Sequence, residues 1–197
     1  MAYFPFFINL SNQICIIIGD GAVARRKAAT LEKFDGIVSI YGVGEWKYEM
    51  FEQAFLVIAA TDDRELNHQI AVFCKEHHIF VNVADSKEDS NFLFPSVIQR
   101  GSLSVGISTE GKSPLVSAQI RKEIEAVLPE NISELTDMMG EMRNYIKNLP
   151  LSKTDKKNMF QAVYEKIKEE NRKLEEEEVI AIMNQLLGDK NDNISNK

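Results

Sequence analysis

Cysteine is scarce: two residues, Cys15 and Cys74, stand far apart in a chain of 197. Neither belongs to a CxxC pair or a cysteine–histidine cluster, so no zinc framework or disulfide scaffold is indicated. Both read as core thiols of a reducing compartment. The three histidines, His68, His77 and His78, have no cysteine or glutamate at ligand spacing. They read as structural, the last two as favourable charge at a helix end, and no fixed metal site is expected. Basic charge is also short: 23 Lys and Arg against 30 Asp and Glu leave a net charge of -7. Nucleic acid and anionic membrane surfaces are bound through basic patches, so neither is expected as a partner. A small anionic ligand stays open to the chain, because a few lysines, arginines or backbone N–H groups hold one whatever the overall sign. No apolar run approaches the ~20 residues of a membrane span. The opening MAYFPFFINL lacks a basic leader, a long hydrophobic core and a small-residue cleavage site. That argues against a secretory signal and for a cytoplasmic protein.

What is present is ordinary globular material, 44% hydrophobic and 27% charged, sufficient for one nucleotide-binding domain with a smaller appendage. Residues 14–18 form an apolar run followed at once by glycine and then by a helical pattern over 23–34, hence strand, turn, helix. In that helix Ala24, Ala28 and Leu31 make a stripe small enough to pack closely on a sheet, with Val23, Lys27 and Thr30 along another side. Residues 37–41 read as a second strand. FLVIAA, at 55–60, suits a strand buried on both faces, as a parallel sheet requires. A helix-like stretch over 65–77 leads to a further strand over 79–83. The alternation predicts an α/β fold with a Rossmann-type parallel sheet.

About a dozen residues separate the second strand from FLVIAA, the minimum for a parallel crossover. EWKYEMFEQ is therefore expected to cross as one short helical piece with no extra strand, and Trp46, Tyr48 and Phe51 to cover a sheet face. After Asp85 the pattern changes. Residues 92–98 and 103–109 read as an antiparallel pair about the turn-rich QRGS. Ser113 then serves as N-cap with Pro114 at the first helical position, and the rest reads as successive amphipathic helices. The acidic run at 175–178 reads as a solvated helix face, and the closing GDKNDNISNK as a frayed tail with little to bury.

GDGAVA, residues 19–24, matches G-x-G-x-x-A between the first strand and its helix. Gly19 permits the tight turn, Gly21 lets the backbone approach a pyrophosphate, and Ala24 allows close helix-to-sheet packing. Gly19, Gly21, Ala22 and Val23 are thus candidate cofactor residues, with the N–H groups at the helix start facing the phosphates. The bland reading is a tight turn in a Rossmann-like domain that has lost its cofactor. The acid expected at the end of the second strand is absent, since the strand ends in SIYGVG. Backbone groups around Val43 and Gly44 are the expected substitutes at the ribose, and the choice between NAD and NADP stays open. Thr61, Asp62 and Asp63 follow a buried strand at its carboxyl edge and are candidates to line the crevice, Asp63 being equally a helix cap. Asn82 and Asp85 share the same rim.

Taken together, GDGAVARRKAATL, IAATDD, NVADS, FLFPSVIQRG, GISTEGKSP and IRKEIEAVLP resemble the precorrin-2 dehydrogenase and sirohydrochlorin ferrochelatase family, the amino-terminal half of siroheme synthase. The blocks occur in that family's order over about residues 1–150. The resemblance implies an NAD-binding Rossmann-like domain over 1–90, a strand-rich dimerisation segment over 91–112 and a helical domain over 113–197. It implies NAD-dependent oxidation of precorrin-2 to sirohydrochlorin in a homodimer, with ferrous iron insertion as a second activity of some members and iron only as a substrate. The family's key carboxylate falls on Asp85, which beside the crevice would accept the proton released when hydride leaves the macrocycle; the bland reading is an Asp that caps its own loop. Substrate of this family carries many carboxylates, so Ser108, Thr109, Lys112 and Ser113 are expected contacts, with a plain surface role as the alternative for each, and Arg100 as a weaker candidate beside a hairpin.

Two departures from the family bear on this expectation. The stretch between Gly44 and Phe55 is short, which would trim the adenosine side of the sheet. The methyltransferase domain fused to this module in some siroheme synthases is absent, so precorrin-2 would arrive from a separate enzyme. The competing reading is a non-catalytic Rossmann-like sensor or assembly subunit.

Overall fold

The structure is a computed structural model that describes residues 3–149, 151–170, 172 and 174–195. Its first strand, β1 (Ile14–Ile18), leads through a glycine turn into helix α1 (Ala22–Glu32) and then β2 (Ile37–Tyr41). A short 3-10 helix, Tyr48–Gln53, makes the crossing to β3 (Leu56–Ala59), so no additional strand intervenes, as the spacing required. Helix α2 (Arg64–Glu76) and β4 (Phe80–Val83) complete an all-parallel sheet of order β2-β1-β3-β4. Ile17 lies opposite both Ile40 and Ile58, and Ile58 opposite Asn82.

Alternation along the strands divides the core in two. On the α1 side, Cys15, Ile17, Leu56 and Ile58 pack against Ala24, Ala28 and Leu31, the small-residue stripe read from the sequence. On the α2 side, Ile16, Ile18, Val57, Ala59, Val81 and Val83 meet Ile70, Ala71 and Cys74. The crossing segment closes this second face: Phe51 is wholly buried, with Trp46 stacked on it at 5.4 Å. Both cysteines are free and buried. Burial pushes the Cys15 thiol up to about 11 and the Cys74 thiol up to about 12, which makes both inert packing groups.

The second strand pair differs from expectation in its first member. β5 spans Ser96–Arg100 and joins β6 (Leu103–Ile107) across Gly101 and Ser102. Phe92 and Phe94 stay out of the strand and pack on the α1 side of the parallel sheet. Pro95, which has no N–H to give a ladder, separates them from β5. Helix α3 (Pro114–Val127) begins as predicted: Ser113 Oγ accepts the Val116 N–H at 3.3 Å.

Helices α4 (Ile132–Asn148), α5 (Lys153–Glu170) and α6 (Glu176–Ser195) follow. Leu135, Met138, Ile146, Met159, Val163, Ile167 and Val179 form their shared core. Pro150, between α4 and α5, lies outside the described residues. The acidic run is more than a solvated face: Arg172 holds Glu178 through two nitrogens at 2.8 and 2.6 Å, and Glu178 also accepts the Glu175 N–H. The backbone is helical as far as Ser195, into the stretch that composition marks as frayed. No helix among the described residues is long and apolar enough to cross a membrane.

The chain divides into two compact units, one of Met1–Ser96 with Ile107–Ala118, the other of Val97–Gly106 with Gln119–Lys197. Every candidate residue except Arg100 falls in the first.

Candidate functional site

All four parallel strands end at one edge of the sheet, and the candidate residues follow those ends. After β1 the backbone turns through Gly19 at φ +109. A Cβ there would lie 2.3 Å from the carbonyl oxygen of Ala60, at the exit of β3, so no other residue fits. Gly21 caps α1 in an extended conformation without any side-chain bond. A Cβ on Gly21 would meet nothing within 4 Å, so its outer side faces open space. The first N–H groups of α1, from Ala22 and Val23 onward, have no intrahelical acceptor and carry the positive end of the helix dipole. Arg25 Nε donates to the Asp20 carbonyl at 2.9 Å and steadies the turn.

At the end of β2, Val43 is exposed and Gly44 has φ +94 with open space around it. The acid missing from the strand itself is supplied by this loop. Glu45 folds back so that its Oε2 accepts the Gly42 N–H at 2.9 Å, while Glu45 N–H donates to the Gly42 carbonyl. A carboxylate therefore stands in the loop at the carboxyl end of β2, four residues past the strand. Sequence reasoning missed it because it sought the acid within the strand.

At the end of β3, Thr61 is committed inside the protein. Its hydroxyl donates to Asn67 Oδ1 at 2.8 Å, its N–H reaches the same oxygen, and Asn67 Nδ2 returns to the Thr61 carbonyl at 2.9 Å. Asn67, buried on α2, was not singled out from the sequence. Asp63 takes the capping alternative, accepting the Leu66 N–H at 3.1 Å, and Asp62 remains exposed.

At the end of β4, Asp85 stands on the same rim, its Oδ2 3.3 Å from Arg64 Nε. Its side chain is 41% exposed, and Arg64's is 89% exposed. A pair so wet contributes little stability; it orients the carboxylate and places a cation beside it. The loop-capping work belongs to the neighbours instead. Ser90 Oγ accepts the Val83 N–H at 2.9 Å and donates to the Ser86 carbonyl at 2.8 Å. Asp89 contacts His68 Nδ1 at 2.8 Å and accepts from Ser86 Oγ at 2.9 Å. Burial alone would raise the Asp89 pKa, but the bonds from His68 and Ser86 outweigh it and hold the carboxyl below its ordinary range.

The loop after β6 belongs to the same unit. Ser108 Oγ accepts the Glu110 N–H at 3.1 Å, and Thr109 Oγ1 bridges the Ser113 N–H and carbonyl. These hydroxyls shape a turn with left-handed Glu110 and Gly111. Lys112 is exposed. The position a Gly111 Cβ would take lies 3.5 Å from Lys87 Cδ, so this turn sits beside the Asp85 loop. Lys87, two residues past Asp85, and Arg64, which follows the Asp63 cap, give the rim a basic character that the net charge conceals. Arg100 ends β5 in the other unit and pairs at 3.8 Å with Glu125.

One further departure lies beneath the rim. The helical stripe puts Lys27 with Val23 and Thr30, yet Lys27 is 8% exposed. The reason is Asn82, the polar member of the otherwise apolar row Ile17, Ile58, Asn82 on the α1 side of the sheet. Lys27 Nζ donates to Asn82 Oδ1 and lies 5.3 Å from the Phe94 ring centroid. No carboxylate pairs with it among the described residues. Loss of hydration, with a smaller push from Arg26, brings its pKa down to about 8.

With this geometry in place, the comparisons with known proteins are direct. Residues 6–96 match the family model described as "Putative NAD(P)-binding". Residues 100–126 match the model described as "Sirohaem biosynthesis protein central". The siroheme synthase of Photorhabdus laumondii subsp. laumondii is 31% identical, over 83% of this chain and 39% of its own length. The chain belongs to the family of the siroheme synthase amino-terminal half. A second member, the siroheme synthase of Zymomonas mobilis subsp. mobilis, is 32% identical over 75% of this chain and 35% of its own. The chain thus spans about two fifths of the length of the curated siroheme synthases it matches. The fold extends to the solved structure of SirC, precorrin-2 dehydrogenase, with a TM-score of 0.65 at 21% identity, covering 94% of this chain and 100% of that one.

The buried ammonium gives a measurable pH dependence. Between about pH 8 and 10.5 the unfolded chain holds a proton that folded Lys27 has released. Stability from this group therefore rises with pH through that window, by on the order of 3 kcal/mol. The raised thiols of Cys15 and Cys74 act in the opposite direction above their ordinary value. Urea unfolding of the parent chain and Lys27→Met at pH 7.5 and 10 separates the two effects: the rise is expected only in the parent, on a background common to both.

Proposed function

We propose that this chain is a dehydrogenase that oxidises precorrin-2 to sirohydrochlorin with NAD, in the cytoplasm. The reading rests on one observation: an open backbone cradle at Gly21 and the Asp85 carboxylate stand on the same strand-end rim of one compact unit. Family membership supplies the substrate class, and the rim's chemistry suits it.

Gly19 and Gly21 allow the backbone to approach a pyrophosphate, and the N–H groups of Ala22 and Val23 donate to its oxygens. Val43 and Gly44 leave the adenosine side unobstructed. Glu45 offers its second carboxylate oxygen to a ribose hydroxyl, as an acid at this strand end does in NAD-binding folds. A 2′-phosphate would meet that carboxylate as a like charge, so NAD is favoured over NADP. Thr61, held by Asn67, and Asp62 form the wall toward the nicotinamide.

NAD held at Gly19, Gly21, Ala22 and Val23 would supply the hydride acceptor for the two-electron oxidation of the macrocycle. The accompanying proton passes from the macrocycle to a carboxylate oxygen of Asp85, oriented by Arg64. Lys87, Lys112 and Arg64 hold substrate carboxylates, with Ser108, Thr109 and Ser113 presenting the turn that carries Lys112. Charge-assisted bonds of this kind fix orientation as well as affinity. A homodimer completes the reading: on α3, Val116, Ile120 and Val127 share one side and are uncovered, an apolar stripe suited to a second copy, with Leu115, about four-fifths exposed, beside it at the helix start.

The decisive assay mixes the protein with NAD and enzymatically generated precorrin-2 and follows the absorption spectrum. Sirohydrochlorin is expected to form. Asp85→Ala should lose at least a hundredfold in turnover while NAD binding stays within twofold. Gly21→Val should fold normally, since its side chain enters open space, yet bind NAD at least tenfold more weakly by calorimetry. NAD binding without turnover in the parent chain would instead indicate a sensor. For the ribose, Glu45→Gln should narrow the ratio of NADP to NAD dissociation constants by at least fivefold; an unchanged ratio refutes that contact. For assembly, sedimentation should give twice the chain mass, and Leu115→Asp should shift it toward a single copy.

A further inference from the structure

Lysine carries only donors, so a buried ammonium dictates the orientation of any amide beside it. Lys27 Nζ takes Asn82 Oδ1, which leaves Asn82 Nδ2 facing the opposite way, where it donates to the Phe92 carbonyl at 3.1 Å. Phe92 lies just beyond the loop that carries Asp85. The same loop is drawn together at its base by Ser90, whose hydroxyl joins the Val83 N–H to the Ser86 carbonyl. Asn82 Nδ2 also lies 3.5 Å from Ser90 Oγ. Asn82 and Ser90 are both about 5% exposed. In that setting a flipped amide would set Nδ2 against the ammonium and Oδ1 against a carbonyl, leaving buried donors and acceptors without partners.

We propose that Lys27 and Asn82 are positioning residues for Asp85: the ammonium of α1 fixes the Asn82 amide, and the amide closes the base of the loop from which Asp85 reaches the rim. The nucleotide-binding helix and the proton acceptor are thereby held in register through two side chains, neither of which needs to touch substrate. The inference rests on the reading of Asp85 given above.

Asn82→Asp is the discriminating variant. It keeps the volume and gives Lys27 an acceptor, now a charged one, but it cannot donate to Phe92. A pair that merely fills the core would tolerate this change, with stability, turnover and hydrogen exchange all unchanged. A positioning role predicts a melting temperature at or above that of the parent and NAD affinity within twofold. It also predicts at least tenfold lower kcat with little change in KM, and amide exchange over residues 84–89 accelerated at least tenfold. Lys27→Met should show the same loss of exchange protection in that loop, because it frees the amide to turn. Parent-like exchange and parent-like kcat in Asn82→Asp overturn the proposal. Full turnover in Asp85→Ala overturns the reading beneath it, and the two failures are told apart because exchange is measured without substrate.

Discussion

The exit of β1 passes against the exit of β3 so closely that the carbonyl of Ala60 occupies the space where a side chain on Gly19 would begin. Everything at the rim depends on that contact. It turns α1 back along the sheet with its first N–H groups at the strand ends, and it sets them beside the Thr61 turn. The 3-10 crossing permits the contact by bringing β3 next to β1 with no strand between them. A longer crossing could wander; this one is pinned by Phe51, buried beneath Trp46 on the opposite face.

The rim shows that a chain of net negative charge can still gather basic side chains locally. Arg64 opens α2 beside Asp85, and Lys87 and Lys112 sit in the neighbouring turns that follow β4 and β6, where the backbone is free to place long side chains. Carboxylates elsewhere dominate the formal sum, some of them capping helices or pairing with cations, as Asp63 does for α2 and Glu178 with Arg172. The field near a cleft is set by the few charges that line it, and the total says little about it.

Much of this was legible in the sequence because it is written in periods and punctuation. The strand at 55–60 announced its double burial by being apolar throughout, and Ala24, Ala28 and Leu31 marked the face of α1 that meets the sheet. Gly19 and Ser113 each carried a local rule about backbone conformation or capping. The less legible parts depend on partners remote in the chain. Lys27 falls outside the small-residue stripe of α1, and only Asn82, 55 residues away, supplies the acceptor that lets it be buried. Glu45 looks like a loop residue until its carboxylate returns to the end of β2. The start of β5 was misplaced because Phe92 and Phe94 are apolar enough for a strand, and only packing on the α1 side reveals their other use.

One edge of the parallel sheet has an unusual neighbour. Asn91 donates its N–H to the Val81 carbonyl, accepts the Val81 N–H on its side-chain oxygen at 2.7 Å, and gives its Nδ2 to the Ile79 carbonyl at 3.0 Å. With Ser90, which takes the Val83 N–H, this residue imitates a short adjoining strand and occupies ladder groups that the edge of β4 would otherwise expose. Foreign chains that spread by adding strands to a bare margin find no template there. The molecule is accordingly shielded on that flank from the runaway stacking to which open sheets are prone.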